Sequence, residues 1–292
     1  MSPGPGSRRS SASLPAFFAL LSSIFSPFLP TRIRALIRGV IGIVIFFVLA
    51  QVAGWTGLVP GNVLPLASTV LARTAGLAGN ARFIDDLGAT VEAWAIGLSL
   101  TVIVAVPLGL VLGSLPVVRV ASRVVVEFLR PVPWVALVVL VSLIVGYGLR
   151  MVVTLIFCGS IWPVLYNTIA GMDDVDLVAV DTLRAFGFSR LAVIRRVSLP
   201  AAAPFIATGI RIASSIALIL DIAAGYFTGQ ISGPGIGAFI FTANSGPGNL
   251  PLVLAAATWT GLLGLVLNLA LAGLERRLLP WHRASLAPAE AS

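Results

Sequence analysis

Six apolar runs alternate with short polar segments along the chain, and together they predict a bundle of membrane-spanning helices. An α-helix needs about 20 predominantly apolar residues to cross the roughly 30 Å hydrocarbon core of a bilayer. The predicted spans lie at about residues 35–53, 89–113, 134–146 with its flanks, 151–170, 201–227 and 252–274. The third is the weakest of the six, because Pro131 and Pro133 interrupt its beginning.

The composition indicates that lipid surrounds much of this chain. Hydrophobic residues make up 58% of the sequence and charged residues only 10%. A soluble domain carries about 25% charged residues. The predicted fold class is therefore an all-α polytopic membrane protein with about six transmembrane helices.

The arginines predict how these helices are oriented. All 19 basic residues are arginine, and connections rich in basic residues stay on the cytoplasmic side of a membrane. Arginines cluster at 32–38, 119–130, 184–196 and 276–283, whereas the alternate connections contain only Arg73, Arg82 and Arg150. Because the four clusters fall on one side of a six-span topology, both termini are predicted to be cytoplasmic.

Several kinds of chemistry need residues that this sequence does not supply. A phosphate-binding P-loop requires a lysine, and the sequence contains none. The single cysteine, Cys158, and the single histidine, His282, provide no disulfide, zinc cluster or Cys–His pair within one chain. No catalytic residue and no metal site is predicted, and the dispersed arginines argue against nucleic-acid binding.

One segment, residues 172–200, is too long for a turn and too polar to span a membrane. Acidic residues at 173–176 favour a helix N-terminus, and Gly187 interrupts the segment. Apolar residues recur every third position, namely Leu177, Val180 and Leu183 before Gly187 and Phe188, Leu191, Ile194 and Val197 after it. The pattern predicts two short amphipathic helices joined at Gly187, with Pro200 starting the fifth span. Their apolar face would rest on a partner protein or on the membrane surface.

The same segment resembles the cytoplasmic signature of binding-protein-dependent ABC importer permeases: Glu-Ala-Ala, three residues, Gly, nine residues, and Ile-x-Leu-Pro. At the signature positions the chain has Asp181, Thr182, Leu183, Gly187, Val197, Leu199 and Pro200. The spacing agrees throughout, although Thr182 and Leu183 replace the two alanines. Segments 106–113, 128–133, 208–213 and 275–277 are similar to further parts of nitrate/sulfonate/taurine-type permeases.

This resemblance implies a type I importer permease, which forms a solute pathway in the bacterial cytoplasmic (inner) membrane and is not itself an enzyme. The implied partners are ABC ATPase subunits, a periplasmic or lipid-anchored solute-binding protein, and a second permease copy in a homodimer or heterodimer. ATP and Mg²⁺ would be bound by the ATPase, so no cofactor is expected in this chain. The solute is expected to be a small molecule of the nitrate/sulfonate/taurine type.

The resemblance also implies a domain layout. A Ser/Pro-rich cytoplasmic tail at 1–33, for which a leader is the alternative, precedes the first helix and an outer connection at 34–85. The permease core is expected at 86–277, with a coupling segment at 172–200, and a C-terminal tail follows at 278–292.

Two sets of site residues follow from the resemblance. The seven signature residues from Asp181 to Pro200 are the expected contacts to the ATPase, and Arg211, Asp221 and Gly225 are candidates for the translocation path. A charge inside a span costs about 2.5–3.5 kcal/mol on insertion scales, so Arg211 and Asp221 should face the pathway or a partner helix. Related permeases commonly have a glutamate where Gly225 aligns, and Asp221 lies one turn before it.

Two other functions remain as alternatives. An ATP-independent secondary transporter would explain the spans but not the segment at 172–200. An intramembrane prenyltransferase-like enzyme would use Asp173, Asp176 and Asp181 as Mg²⁺ ligands, although their spacing is unusual and the sequence contains no second aspartate-rich cluster.

Overall fold

The computed structural model describes residues 31–56, 65–115, 128–129 and 132–281, and the regular structure in these ranges is helical. Its helices are α1 Thr31–Trp55, α2 Ala67–Leu77, α3 Ala81–Ser114, α4 Val138–Val145, α5 Leu149–Asp173, α6 Leu177–Ala185, α7 Arg190–Val193, α8 Leu199–Thr228, α9 Ile236–Asn244 and α10 Leu250–Leu278. Most of the two predicted tails and the arginines at 119–130 lie outside the described residues.

The chain divides into a small unit that ends at Ser68 and a large unit that begins at Thr69. In the small unit, α1 exposes large apolar side chains, such as Phe46 and Leu49. Apolar residues on all sides suit a helix that lipid surrounds.

Within the described ranges, five helices are long and apolar enough to cross a membrane, which confirms five of the six predicted spans. The third predicted span is instead short: a 3-10 turn of four residues, Trp134–Leu137, leads into the eight residues of α4. At about 1.5–2 Å per residue this helix rises roughly 20 Å, less than the hydrocarbon core. It ends because Gly146 and Gly148 adopt positive φ angles, +84° and +96°, which the following α5 requires for its change of direction.

The core of the large unit is built around α5, which packs against both α3 and α8. Small residues allow these helices to approach closely. A Cβ added to Gly97 or Gly109 of α3, or to Gly171 of α5, would lie within 2.9 Å of a side chain on the neighbouring helix. The apolar residues between the helices, including Leu155, Ile156 and Val164, are fully buried.

The fifth predicted span is part of a much longer helix. α7, a five-residue π-helical segment at Ile194–Ser198 and α8 form one continuous helix of 39 residues that ends at Thr228. Gly229, with a φ of +58°, then breaks the helix, and the 3-10 turn Gly229–Ser232 follows. The prediction of a separate second amphipathic helix that ends before Pro200 is therefore wrong. Pro200 follows a π turn in which Leu199 N–H donates to Ile194 O, five residues earlier, and this turn allows the helix to continue despite the proline.

The close approach of α3 and α5 makes a specific prediction for Gly109. A Cβ at this position would lie 2.6 Å from Cβ of Thr168, so Gly109→Ala should destabilise the protein by about 1–3 kcal/mol through overpacking. The measurement is thermal unfolding in detergent. Gly88→Ala on the same helix is the control, because an added Cβ there meets no atom within 4 Å. Equal melting temperatures for the two variants would contradict the packing described here.

Candidate functional site

The predicted coupling segment begins with α6, whose two ends are both capped. At the N-terminus, Oδ1 of Asp176 accepts from Val178 N–H at 2.9 Å. At the C-terminus, Gly187 N–H donates to Arg184 O at 2.9 Å and Phe188 N–H donates to Leu183 O at 3.1 Å. This pair of bonds is a Schellman motif, which needs a left-handed residue after the helix. Gly187 supplies it with φ +81°, and this left-handed conformation explains why glycine suits this position of the signature.

The second part of the segment is joined directly to the fifth span. Ser189 caps α7 by accepting from Ala192 N–H at 3.3 Å, and the π turn then leads into α8 without a break. A displacement of this part of the segment would therefore act on α8 through continuous hydrogen-bonded backbone.

An apolar cluster fixes the segment to the rest of the large unit. Val180 and Val193 are buried together with Met172, Ala202 and Ile206. The half-buried residues that pack against the same cluster include Leu183, Phe188, Val197 and Leu199. The prediction that the two stripes rest on a partner protein or on the membrane surface is therefore wrong for most of their members, which pack on the core of the large unit.

Two members of the stripes, Leu177 and Leu191, are instead 73% and 75% exposed, so they remain available to a partner as the sequence predicted. Positions three apart on an α-helix differ by about 300° around the axis, so a period-three row turns away from the core within two steps. Val178 and Phe186 are exposed as well. We refer to Leu177, Val178, Phe186 and Leu191 as the exposed apolar face.

Polar groups lie beside this face. Asp181 and Thr182 are exposed, and Oδ1 of Asp181 lies 3.6 Å from Nη1 of Arg184. The Thr182 hydroxyl donates to Val178 O at 2.7 Å within its own helix. The signature residues thus divide into an exposed set, Asp181, Thr182 and Gly187, and a half-buried set, Leu183, Val197, Leu199 and Pro200.

Arg211 connects α8 with α10. Its Nε donates to Oδ1 of Asn268 at 3.3 Å, and its Nη1 lies 3.6 Å from Oε2 of Glu275. The sequence left open whether Arg211 faces the pathway or a partner helix, and this geometry is that of a pair with a neighbouring helix. A charged side chain on a membrane-spanning helix is stabilised when it has such a partner on a neighbouring helix.

Asp221 and Gly225 lie one turn apart on α8 in different surroundings. Asp221 is 7% exposed, and its Oδ2 has no hydrogen-bond partner among the described residues. A Cβ at Gly225 would lie 3.0 Å from the backbone nitrogen of Ala238, at the start of α9. A glutamate at this position would therefore collide with α9. Arg211 and Asp221 do not form a pair with each other. Arg211 contacts Asn268 and Glu275 of α10, and Asp221 is buried elsewhere along α8.

The comparison with known proteins decides the family. Residues 105–280 match the model of the binding-protein-dependent transport system inner membrane component. The chain belongs to this family. Its members are membrane subunits of ABC transporters without catalytic activity of their own, which excludes the prenyltransferase-like alternative and confirms the resemblance seen in the sequence.

Relatives and a solved structure agree with this assignment. An ABC transporter permease of Methanocaldococcus jannaschii is 30% identical, with 71% of this chain and 77% of the relative covered. The taurine transport system permease protein of Escherichia coli is 30% identical, with coverage of 75% and 80%. The nitrate import permease protein of Leptolyngbya laminosa is 29% identical, with coverage of 67% and 68%. The methionine ABC transporter MetNI in inward-facing conformations shares the fold, with a TM-score of 0.56, 17% identity and coverage of 66% of this chain and 94% of that chain.

Several well-placed polar residues of this permease were missed by sequence reasoning. Asn268 and Glu275, the partners of Arg211, lie on another helix. Asp86 and Thr90 of α3 are buried and accept hydrogen bonds from the first turn of α9. The available signal was their spacing: two polar residues four positions apart share one helix face. Nothing in the sequence indicates which distant backbone that face meets.

The left-handed conformation of Gly187 predicts a difference between two substitutions. Gly187→Leu should lose most ATP-driven uptake while membrane insertion stays intact, because a branched residue with positive φ costs about 1–2 kcal/mol and disturbs the α6–α7 junction. Gly187→Asn should retain more uptake, because asparagine tolerates this conformation and an added Cβ here meets no atom within 4 Å. Uptake into proteoliposomes, with insertion checked by membrane fractionation, is the measurement. Uptake equal to wild type in the leucine variant would contradict the role given to the turn.

The tie between α8 and α10 predicts energetic coupling between Arg211 and Glu275. Arg211→Gln and Glu275→Gln should each lower the melting temperature in detergent, and the double variant should lose less than the sum. We expect a coupling energy of about 0.5–1 kcal/mol, since the pair is partly exposed. Arg276→Gln, which removes an exposed neighbouring charge on α10, is the control. Strictly additive losses would show that the ion pair is not formed.

Proposed function

We propose that this permease forms the solute pathway of an ATP-driven importer, and that a separate ABC ATPase docks on the exposed apolar face of α6 and α7. The observation that carries the proposal is this face itself. Its four apolar side chains are each at least 73% exposed, and two of them, Leu177 and Phe186, flank the exposed signature residues. The well-capped ends of α6 hold these side chains in one fixed arrangement.

The polar surroundings of the face favour a protein partner over the membrane surface. Asp181 and Arg184 form an exposed ion pair beside the apolar side chains, and further acids precede α6 at 173–176. An aromatic and aliphatic centre with a charged rim is the usual composition of a protein–protein interface. A helix that rests on anionic lipid would carry mainly basic residues on its polar face, whereas this segment carries four aspartates at 173–181 beside four arginines at 184–196.

The coupling between the ATPase and the pathway would run through the continuous helix. One end of this helix starts at Arg190, close to the exposed apolar face, and its other end is Thr228, 39 residues in all. A straight helix of this length measures roughly 60 Å. Movement of the ATPase would therefore shift α8 as a rigid element, and the packed core around α5 would change between discrete arrangements.

Within the pathway, we assign different roles to the three candidate residues. Asp221 is the candidate for a contact with the solute or for gating, since its buried Oδ2 has no partner among the described residues. Arg211 ties α8 to α10 and holds the shape of the pathway. Gly225 permits the close approach of α9. The names of the taurine and nitrate relatives support a small solute of the nitrate/sulfonate/taurine type.

The remaining parts of the proposal concern partners and topology. A periplasmic or lipid-anchored solute-binding protein delivers the solute, and a second permease copy completes a dimer. ATP and Mg²⁺ are bound by the ATPase. Both termini are cytoplasmic in the bacterial inner membrane, and the permease core at 86–277, with the coupling segment at 172–200, lies between the regions 1–33, 34–85 and 278–292. The arginine distribution and the family support this arrangement.

Phe186 provides the direct test of ATPase docking. The tagged permease is co-expressed with its genomically neighbouring ATPase, and the retained ATPase is measured after purification. Phe186→Asp should reduce it about tenfold or more, because an aromatic anchor in an interface is replaced by a charge. Phe128→Asp is the matched control, since Phe128 has the same 78% exposure but lies outside the coupling segment.

The outcomes separate the functions. Loss of the ATPase from the Phe186 variant alone supports docking on this face. Equal retention by both variants would move the docking site elsewhere. If the wild-type permease retains no ATPase, an ATP-independent transporter becomes the better explanation.

A further inference from the structure

The first turn of α9 is capped by another helix and not by its own sequence. The residue before α9 is Gly235, which has no side chain that could accept a hydrogen bond. Gly235 N–H donates instead to Oδ1 of Asp86 at 2.8 Å, and Ile236 N–H donates to Oγ1 of Thr90 at 3.0 Å. Both acceptors lie on α3, 149 and 146 residues earlier in the chain. We refer to Asp86 and Thr90 as the inter-helix cap.

Both residues of the inter-helix cap are buried, and both accept from backbone N–H groups at the start of α9. Asp86 is 4% exposed and Thr90 is 1% exposed. The carboxylate faces the N-terminus of α9, where the partial positive charge of the helix dipole stabilises it. Free N–H groups at a buried helix end are costly, so the two bonds fix both the distance and the angle between α3 and the start of α9.

Apolar contacts hold the same helix from other sides. The ring of Phe83, one turn before Asp86, packs edge-on against Phe239 of α9 at 5.1 Å between centroids and lies 5.9 Å from Trp259 of α10. Gly237 of α9 approaches α8 so closely that no Cβ would fit there. The position of α9 is therefore determined jointly by α3, α8 and α10.

The place of α9 in the chain gives this arrangement a function. α9 follows the end of the continuous helix that lies farthest from the exposed apolar face of α6 and α7. Under the proposed function this is the outer side of the membrane, where a solute-binding protein arrives. Exposed side chains in this region include Gln230 and Ile231 just before α9 and Phe241 on α9 itself.

We propose that Asp86 and Thr90 are positioning residues of the transport cycle, which hold α9 so that arrival of the solute-binding protein is transmitted to the continuous helix. The inference rests on the proposed function. Apolar packing alone could hold α9, whereas burying a carboxylate is costly unless it is hydrogen-bonded, so a buried aspartate at this contact points to a requirement for a fixed position of α9. The cap makes α3, α8 and α9 respond as one body, so a contact on the outer surface changes the same packed core that the ATPase moves.

The test compares two activities of the assembled transporter in proteoliposomes: basal ATPase activity and its stimulation by the solute-loaded binding protein encoded beside the permease. Asp86→Ala and Thr90→Val remove the acceptors, and Asp86→Asn and Thr90→Ser restore an acceptor oxygen at each position. Asp85→Ala and Thr101→Val are matched controls. Asp85 is the exposed neighbour of Asp86, and Thr101 is equally buried on α3 but its hydroxyl bonds to Gly97 O within that helix.

We expect the acceptor-removing variants to lose stimulation about fivefold or more, with basal activity and assembly preserved. The conservative variants and both controls should retain stimulation within about twofold. Thr90→Val preserves volume, so it carries the test even if Asp86→Ala accumulates poorly.

Two results would overturn the inference. One is unchanged stimulation in Thr90→Val and Asp86→Ala. The other is a parallel loss of basal and stimulated activity that the conservative variants do not restore, which would indicate a purely structural cap. Failure of the proposed function would appear in the wild-type complex itself, as absence of bound ATPase or of stimulation, and would overturn both proposals.

Discussion

Every backbone N–H and C=O at a helix end or helix break needs a hydrogen-bond partner, and this requirement shapes the irregular points of the permease. The helix does not stop at Pro200; a π turn at Ile194–Ser198 continues it. The end of α6 closes in a Schellman motif at Gly187. The start of α9, which has no capping side chain of its own, takes its acceptors from α3. Each solution uses a different residue type, but all three give a partner within the protein to backbone groups at a helix end or helix break.

These solutions also determine how the molecule can move. Because α7, the π turn and α8 are continuous, the two ends of this 39-residue helix cannot be displaced independently. Because α5 meets α3 and α8 through glycines, with side chains of one helix against backbone of the next, small rotations are blocked by steric contact. A packed interface of this kind favours a few discrete arrangements over gradual deformation. The architecture thus suits a transporter that changes between a few discrete conformations.

The success of sequence reasoning depended on the range of the interactions involved. Span positions were predictable because length and hydropathy are local, and Gly187 was predictable as a break because its conformation is local too. The third helix covers almost all of the predicted residues 134–146, but it ends at Gly146 and is too short for a full span. Most of the two apolar stripes packs on the protein's own core, while Leu177 and Leu191 stay exposed, because a period-three row does not stay on one face of a 3.6-residue helix. The bonds between α3 and α9 join residues 146 and 149 positions apart, and no local pattern encodes such a pairing.

Two aspartates of this permease, Asp86 and Asp221, are buried to a similar extent but differ in their hydrogen bonding. Oδ1 of Asp86 accepts from a backbone N–H at a helix start, so the charge has a fixed partner and a structural consequence. Asp221 is nearly as buried, and its Oδ2, like Oδ2 of Asp86, has no hydrogen-bond partner among the described residues. A buried polar atom without a partner is unfavourable unless something else compensates it during the working cycle. The two carboxylates therefore differ in the bond that Oδ1 of Asp86 makes to the start of α9, which ties helices together, while the second oxygen of each remains available to water, to a solute or to a moving neighbour.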